Sequence, residues 1–339
     1  MSWPAKETQS GRGPCSGPGW PSGTSRRPLL VQLRLTRHNR YSIAAVLAVV
    51  EETLGRGEAE LRLVTDAAAQ SGLIEGRGLL LHSFMTTHAQ RVGREVGALR
   101  EEHGDGLLLV AGGPHATGDP EGALGMGFHY AVQGEAAGAG FRAFLRSVAE
   151  GEPAAPGVLH AGRRRGLDGQ RPWPEALSLF CPIELTRGCP IGCAYCQIPV
   201  LHGRRPRHRS LEAIERLVIR AVETGHTFTR FVSSNALAWG STDGLTPDRR
   251  RLEALFVMLR RRGFQKVFFG NFPSEVRPES VTEDLLGLLR DHVDNRGLVV
   301  GLQSGSDAML SRIRRGHSVA QGLEAAARMA AAGFVPAVD

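Results

Sequence analysis

The sequence predicts an α/β protein made of two successive strand–helix series: a doubly wound parallel sheet, then a partial (βα) barrel. Three observations predict it. Short strand-like stretches, such as Gly78–Ser83 and the continuous apolar run Gly106–Ala111, alternate with stretches of helical period, such as Thr87–Glu102. Strands that are apolar on both faces suit a parallel sheet covered on both sides. The alternation stops at residues 151–178, which are rich in Pro, Gly and Arg, and then resumes; a length of 339 residues suits two domains of ordinary size.

Residues 1–27 carry Gly, Pro, Ser and Arg without periodicity and read as a disordered tail outside the fold. The first domain is expected over 28–150. Leu29–Leu33 reads as a strand and Ser42–Leu54 as a helix with Ser42 as its N-cap. Strands follow at Glu60–Val64 and Gly78–Ser83, and a helix at Thr87–Glu102. The strand Gly106–Ala111 ends in Gly112-Gly113-Pro114-His115; Tyr130–Gln133 is a further strand, followed by Gly134-Glu135 and a helix over Ala137–Ala149. Ligands of doubly wound sheets bind beyond the C-terminal strand ends, which here are Ser83–Thr87 and Gly112–His115. Residues 151–178 read as a linker with a hairpin around Gly157–Leu167.

The second domain is expected over 179–339. Strands are read at Ile183–Thr186, Phe231–Ser233, Lys266–Gly270 and Leu298–Gln303, with Pro336–Val338 opening a fifth. The helices between them are Leu211–Thr224 (capped by Ser210), Pro247–Arg262, Val281–His292 and Ser318–Ala332. Repeated βα units of this length point to a barrel of the TIM type, whose chemistry sits at the C-terminal strand ends.

The net charge is +7, yet 39 of the 41 basic residues are arginines, a bias that looks like codon composition rather than a nucleic-acid footprint. The densest basic run is Arg204-Arg205-Pro206-Arg207-His208-Arg209, read either as a solvated loop or as a clamp for an anionic substrate or an acidic partner. No aromatic residue is interleaved, which argues against single-strand nucleic acid. No run approaches the ~20 apolar residues of a membrane span. The N-terminus lacks the apolar core of a signal peptide, so a cytoplasmic protein is expected.

Cys189, Cys193 and Cys196 stand in the spacing C-x3-C-x2-C, directly after the first strand of the second series. Three thiolates can hold three irons of a [4Fe–4S] cube and leave the fourth iron open, whereas an electron-transfer cluster usually takes four cysteines. Five cysteines and no export signal speak against a disulfide framework. Structural zinc normally wants a fourth Cys or His close by; His202 and His208 lie downstream. Cys15 sits in the tail, and Cys181 reads as a small buried residue rather than a fourth ligand.

This spacing, with the aromatic Tyr195 before the third cysteine, resembles the signature of the radical S-adenosylmethionine (radical SAM) enzymes. Gly301-Leu302-Gln303-Ser304-Gly305-Ser306-Asp307, with Leu310 and Arg315-Gly316-His317, resembles that family's fourth-strand segment. The first domain, through Gly112–His115 and Gly134-Glu135, resembles the cobalamin-binding domain that precedes many radical SAM domains, although no D-x-H-x-x-G stretch occurs. The resemblance implies a [4Fe–4S] cluster on Cys189, Cys193 and Cys196, and SAM on the open iron. Tyr195, Ser234, Asn235, Gln303, Ser304 and Ser306 would lie near SAM, with Glu275 and Arg277 in reach of SAM or substrate. It implies cobalamin on the first domain, with His115 a loop-turn residue rather than a cobalt ligand.

The implied activity is reductive cleavage of SAM to a 5′-deoxyadenosyl radical, with cobalamin-dependent methylation or rearrangement of a small-molecule substrate. A low-potential donor such as flavodoxin or ferredoxin would supply the electron. Two alternatives stand beside it: methylthiolation, which usually needs three further cysteines for a second cluster, and a non-catalytic iron–sulfur or zinc-binding protein. A core of this type usually has six βα units. Four are complete here, so a truncated product with an exposed apolar sheet edge is expected.

Overall fold

The computed structural model describes residues 28–55, 57–65, 78–163, 166–175, 177 and 179–339; the expected tail, 1–27, lies outside them. The N-terminal half is a six-stranded, all-parallel sheet in the order β2-β1-β3-β4-β5-β6. Its strands are β1 (Leu29–Arg34), β2 (Ala59–Val64), β3 (Gly78–Ser83), β4 (Leu107–Gly112), β5 (Tyr130–Gly134) and β6 (Gly157–Gly162). The continuous apolar runs are the central strands: every residue of β3 is buried. One face packs under α1 (Arg40–Leu54) and α5 (Ala139–Ala149) through Leu47, Val50, Phe141 and Leu145. The other packs under α2 (Ala89–His103), α3 (Gly113–Gly118) and α4 (Pro120–Gly125) through Val92, Val96, Leu99 and Ala116. Burying each such side chain contributes about 1.5–3 kcal/mol, which explains the doubly wound arrangement.

Four local readings are corrected. The first helix starts at Arg40, not Ser42. Asn39 ends the preceding turn instead, its Oδ1 accepting from Thr36 N at 2.7 Å and its Nδ2 donating to Arg34 O at 2.8 Å and Ser83 O at 3.0 Å. Gly112–His115 is not a plain turn, because α3 begins at Gly113. The hairpin expected around Gly157–Leu167 is instead β6, a parallel edge strand beside β5. In the second half the cap of the Pro247–Arg262 helix is Asp248, which accepts from Arg251 N at 3.1 Å; the helix, α8, runs Arg249–Arg261.

That second half carries parallel strands β7 (Ile183–Glu184), β10 (Phe228–Val232) and β11 (Lys266–Phe268), and a separate parallel pair, β12 (Gly297–Val300) with β13 (Val335–Val338). Isolated parallel bridges, Ser233 to Ser274 and Val276 to Val300, carry the curve from one set to the other. A short antiparallel pair, β8 (Thr186–Arg187) with β9 (Arg207–His208), closes the base of the cysteine loop, and α6 (Ile198–His202) lies inside it. Helices α7 (Leu211–Glu223), α8, α9 (Glu283–His292) and α11 (Val319–Ala331) cover the outer face over Phe231, Phe269 and Leu298. Phe256 meets Phe269 edge-on, with centroids 5.0 Å apart, the arrangement that aromatic quadrupoles favour. Between β12 and α11 sits α10 (Asp307–Arg312), which the sequence pattern had not suggested.

Candidate functional site

The three cysteines lie beyond the C-terminal end of β7, the mouth at which βα barrels place their chemistry. Their loop is held from several sides. Cys189 N donates to Gly203 O at 3.2 Å, Cys196 N to Cys193 O at 3.1 Å, and Ala194 N to Ile313 O, just past α10, at 2.9 Å. Ser234 Oγ donates to Gly188 O at 2.7 Å, so the end of the second strand fixes the start of the loop. Arg204 spans the loop, its Nη2 donating to Pro190 O at 3.0 Å and Ile191 O at 3.2 Å. Gly188 has φ +93°, and a Cβ there would stand 2.9 Å from Arg205 O and 3.0 Å from Gly203 O, so only glycine lets the loop close on itself.

Cys193 is buried, while Cys189 and Cys196 are partly exposed. Burial, joined by the neighbouring Cys189 and Cys193, pushes the Cys196 thiol up. Burial also pushes the phenol of half-exposed Tyr195 up to about 12; Arg315 opposes it and Cys193 adds to it. Among the described residues no three His, Cys, Asp or Glu side chains stand close enough to hold one metal ion. The two histidines nearest the loop are engaged elsewhere: His202 Nδ1 lies 3.3 Å from Glu135 Oε1, and His208 Nδ1 lies 2.9 Å from Thr186 Oγ1. Cys181 is buried, its thiol raised to about 11 by burial, and its Sγ lies 4.0 Å from Arg40 O.

Arg315, buried to 7% exposure, links the cysteine loop to the fourth strand. Its Nη1 donates to Cys193 Sγ at 3.7 Å; its Nε and Nη2 donate to Gly301 O at 3.2 and 2.7 Å. Arg277 Nη2 in turn donates to Arg315 O at 2.6 Å. Glu275 lies beside them, its carboxyl raised by burial and by Asp339. A Cβ on Gly301 would overlap the Arg315 guanidinium and stand 3.0 Å from Gln303 Nε2 and 3.2 Å from Glu275 Oε2. Gly301, Gln303, Glu275, Arg315 and Cys193 thus meet at one point of the mouth.

The remaining expected residues fall nearby with plain local roles. Asn235 Nδ2 donates to Ser280 Oγ at 3.1 Å, and its buried Oδ1 has no partner. Gln303 adopts φ 67° and its Nε2 donates to Asp339 Oδ1 at 3.2 Å. Ser304 Oγ accepts from Ser306 N at 3.2 Å, and Ser306 Oγ caps α10, accepting from Met309 N at 3.4 Å. The basic run is divided: Arg204 and Arg205 are exposed, while Arg207 is partly buried and Arg209 buried. Arg204 binds loop carbonyls, Arg207 binds Glu135, and Arg209, 1% exposed, donates to Glu184 O, Leu167 O and Gln170 O at 3.0, 2.7 and 2.9 Å. In the first domain His115 is buried in α3, its Nδ1 3.1 Å from Thr86 Oγ1 and its ring 5.1 Å from that of Phe84. The roles of Arg315 and Glu135 went unread in the sequence; the signal was an arginine inside the second motif and a glutamate directly after a strand-ending glycine.

Comparison with known proteins bears on the barrel and the sheet as wholes. The Radical SAM superfamily pattern matches residues 183–339. A tRNA-2-methylthio-N(6)-dimethylallyladenosine synthase of Acidithiobacillus ferrooxidans is 29% identical over 165 residues, 48% of this chain and 35% of that protein. The ribosomal protein uS12 methylthiotransferase RimO of Sorangium cellulosum is 28% identical over 142 residues, 40% and 28% of the two chains. The chain therefore spans about a third of the length of such curated relatives. Among solved structures, the cobalamin-dependent S-adenosylmethionine radical enzyme OxsB with aqua-cobalamin bound superposes with TM-score 0.66 at 14% identity, over 92% of this chain and 49% of that one. The radical S-adenosylmethionine methyltransferase TsrM from Kitasatospora setae, with cobalamin and a [4Fe–4S] cluster, gives TM-score 0.66 at 16% identity, over 92% and 68%. The likeness to both is one of fold, and it extends over the N-terminal sheet as well as the barrel. The family match thus covers the barrel half of the chain, residues 183–339, and makes that half a radical SAM domain.

Proposed function

We propose that this chain is a radical SAM enzyme in which Cys189, Cys193 and Cys196 hold a [4Fe–4S] cluster with one iron left to SAM, and that it works with cobalamin on a small-molecule substrate. When bound, the cluster and SAM supply a one-electron cleavage of the sulfonium to methionine and a 5′-deoxyadenosyl radical, the hard chemistry a protein only positions. The observation that carries the reading is the loop that places Cys189, Cys193 and Cys196 beyond the end of the first barrel strand, with buried Arg315 against Cys193.

The chain's own residues orient and enclose. Ser234 and Arg204 fix the loop backbone. Arg315 contributes a buried positive charge that an anionic thiolate cluster balances. Asn235 Oδ1 offers an unspent buried acceptor to the SAM amino group, and Gln303, Ser304 and Ser306 shape the turn beside which its ribose or methionine part lies. On the first domain the C-terminal strand ends, Ser83–Thr87 and Gly112–His115, would receive cobalamin. His115, held by Thr86 and Phe84, gives cobalt no ligand. A low-potential donor such as a flavodoxin or ferredoxin would deliver the electron. Methyl transfer to an unactivated carbon is the favoured reaction; besides the three loop cysteines the sequence holds only Cys15 and buried Cys181, too few for the second cluster of a methylthiotransferase.

The test is anaerobic reconstitution. The expected result is iron and sulfide near about four per chain, with reductive release of 5′-deoxyadenosine from SAM. Cys193→Ala loses the cluster and Cys181→Ala keeps it. Stoichiometric zinc with no SAM cleavage overturns the reading, and an unchanged cobalamin absorbance on mixing removes its B12 part.

A further inference from the structure

The cysteine loop is held by the barrel, but it is also gripped from the other domain. Glu135 stands at the C-terminal end of β5, and its side chain is 2% exposed. Both of its carboxylate oxygens are taken by residues that flank the loop. Arg187 Nη1 donates to Oε2 at 3.0 Å and Arg207 Nη1 to the same atom at 3.1 Å; Arg207 Nη2 and His202 Nδ1 (3.3 Å) approach Oε1. Arg187 lies two residues before Cys189, His202 ends α6, and Arg207 lies in β9, the strand that closes the loop's base on Arg187 in β8. Both ends of the loop and its inner helix therefore converge on one carboxylate of a different domain.

The contact is built rather than incidental. Gly134 has φ +112°, and a Cβ there would stand 2.8 Å from Gly162 O, so glycine lets the chain turn Glu135 outward from the sheet. Glu135 N donates to Gly162 O at 3.0 Å and its carbonyl accepts from Gly138 N at 2.7 Å, fixing the backbone on either side of the carboxylate. Arg187 is shared with Glu184 of β7, its Nε donating to Oε1 at 2.8 Å, which ties the same network into the first barrel strand. Arg163 Nη2 adds a second cross-domain bond, donating to Val200 O of α6 at 2.7 Å.

We propose that Glu135 is a positioning residue for the cluster: the N-terminal sheet, through this carboxylate, sets the register of β8 against β9 and thereby the spacing of the three thiols. Cluster assembly then depends on the first domain independently of whether that domain carries its own cofactor. Two cationic guanidiniums facing each other across β8 and β9 would repel without the carboxylate between them, so its loss opens the base of the loop.

The inference rests on the cluster reading above, and its test has an arm that does not. The full chain is prepared as wild type, Glu135→Gln, Glu135→Asp and Glu95→Gln. Glu95 is the control: it is a mostly buried, ion-paired glutamate of the same domain, held by Arg34 and His82 away from the loop. Amide hydrogen exchange of the metal-free chain is followed over residues 186–208, then iron and sulfide content and the spectrum of the reduced cluster after anaerobic reconstitution. Glu135→Gln should speed exchange in this segment by about tenfold or more, lower cluster content several-fold and alter the spectrum of what remains. Glu135→Asp should recover part of both. Glu95→Gln should change neither. Unchanged exchange in Glu135→Gln overturns the proposal, as does an equal loss in Glu95→Gln, which would mean that domain stability alone is at work. If wild type takes up no cluster, the cluster reading fails, while the exchange arm still decides whether Glu135 orders the loop.

Discussion

Gly301→Ala is the sharpest perturbation of the mouth. The added Cβ would fall on the Nη2 of Arg315, a long and normally compliant side chain. Here it has nowhere to go: Arg315 is 7% exposed, donates twice to the carbonyl of Gly301 itself and once to Cys193 Sγ, and has its own carbonyl held by Arg277. The guanidinium must give up its two bonds to Gly301 O. Hydrogen bonds to charged groups contribute about 1.5–3 kcal/mol each, so losing two while the cation stays buried costs about 3–6 kcal/mol. At about 2–4 °C per kcal/mol for a domain of this size, the melting temperature should fall by roughly 10 °C. Circular dichroism melts of the metal-free chain read this directly, and iron content after reconstitution reads the effect on Cys193. The decisive comparison is with Arg315→Ala, which makes room for the methyl group. If the clash is the mechanism, Gly301→Ala adds almost nothing on top of Arg315→Ala, the non-additivity expected of residues in contact. Additive losses in the double variant, or a Gly301→Ala chain that melts within about 2 °C of wild type, refute the reasoning.

Three further outcomes are expected. Arg209→Lys should destabilise almost as much as Arg209→Ala, by about 3 kcal/mol, because a single ammonium cannot reach the three carbonyls of Glu184, Leu167 and Gln170; full rescue by lysine in urea unfolding would contradict this. Burial opposes ionisation of Glu95, but the bonds and charges of His82 and Arg34 prevail and hold it at about 2. A folded value below the unfolded one gives stability that is present above about pH 4.5 and lost as the pH falls toward 2. Wild type should therefore lead Glu95→Gln at pH 6 and lose that lead by pH 2.5, and a pH-independent gap would count against the pairing. Asn39→Ala should cost about 1–2 kcal/mol by freeing Arg34 O and Ser83 O, whereas Ser42→Ala should cost less, since its Oγ makes single bonds to Asn39 O and Ser83 Oγ.

The parts of the fold legible in the sequence were those written in apolar period. β4 is an unbroken apolar run, and β3 is one up to Leu81, because both faces of the sheet are covered, and α7 and α11 follow their helical spacing from caps at Ser210 and Ser318. What misled was local chemistry whose partner lies far away in sequence. Ser42 looks like a cap, yet Asn39 is the better-connected side chain because Ser83, 44 residues on, supplies its second carbonyl. Gly157–Gly162 looks like half a hairpin because an edge strand has the composition of a linker, and only pairing with β5 shows otherwise. The same holds for the site. The cysteine spacing is contiguous and could be read; the roles of Arg315 and Glu135 depend on contacts 122 and 52 residues away, to Cys193 and Arg187, which no local pattern encodes. The basic run reads as surface charge in one dimension; in three its first two arginines stay exposed while Arg207 and Arg209 are spent on a buried carboxylate and backbone carbonyls.

The connection between the halves has a mechanical consequence. A stretch rich in Pro, Gly and Arg is where a hinge would ordinarily be sought, since such segments bend at little cost. Here the carbonyls of Leu167 and Gln170 are bolted to the guanidinium of Arg209, which belongs to the barrel. Swinging one half away from the other by flexing these residues would strip a buried cation of two acceptors at once. Residues 167–170 are therefore held as part of the barrel. A change in the angle between the two halves must either carry residues 167–170 along with the barrel or break both bonds together.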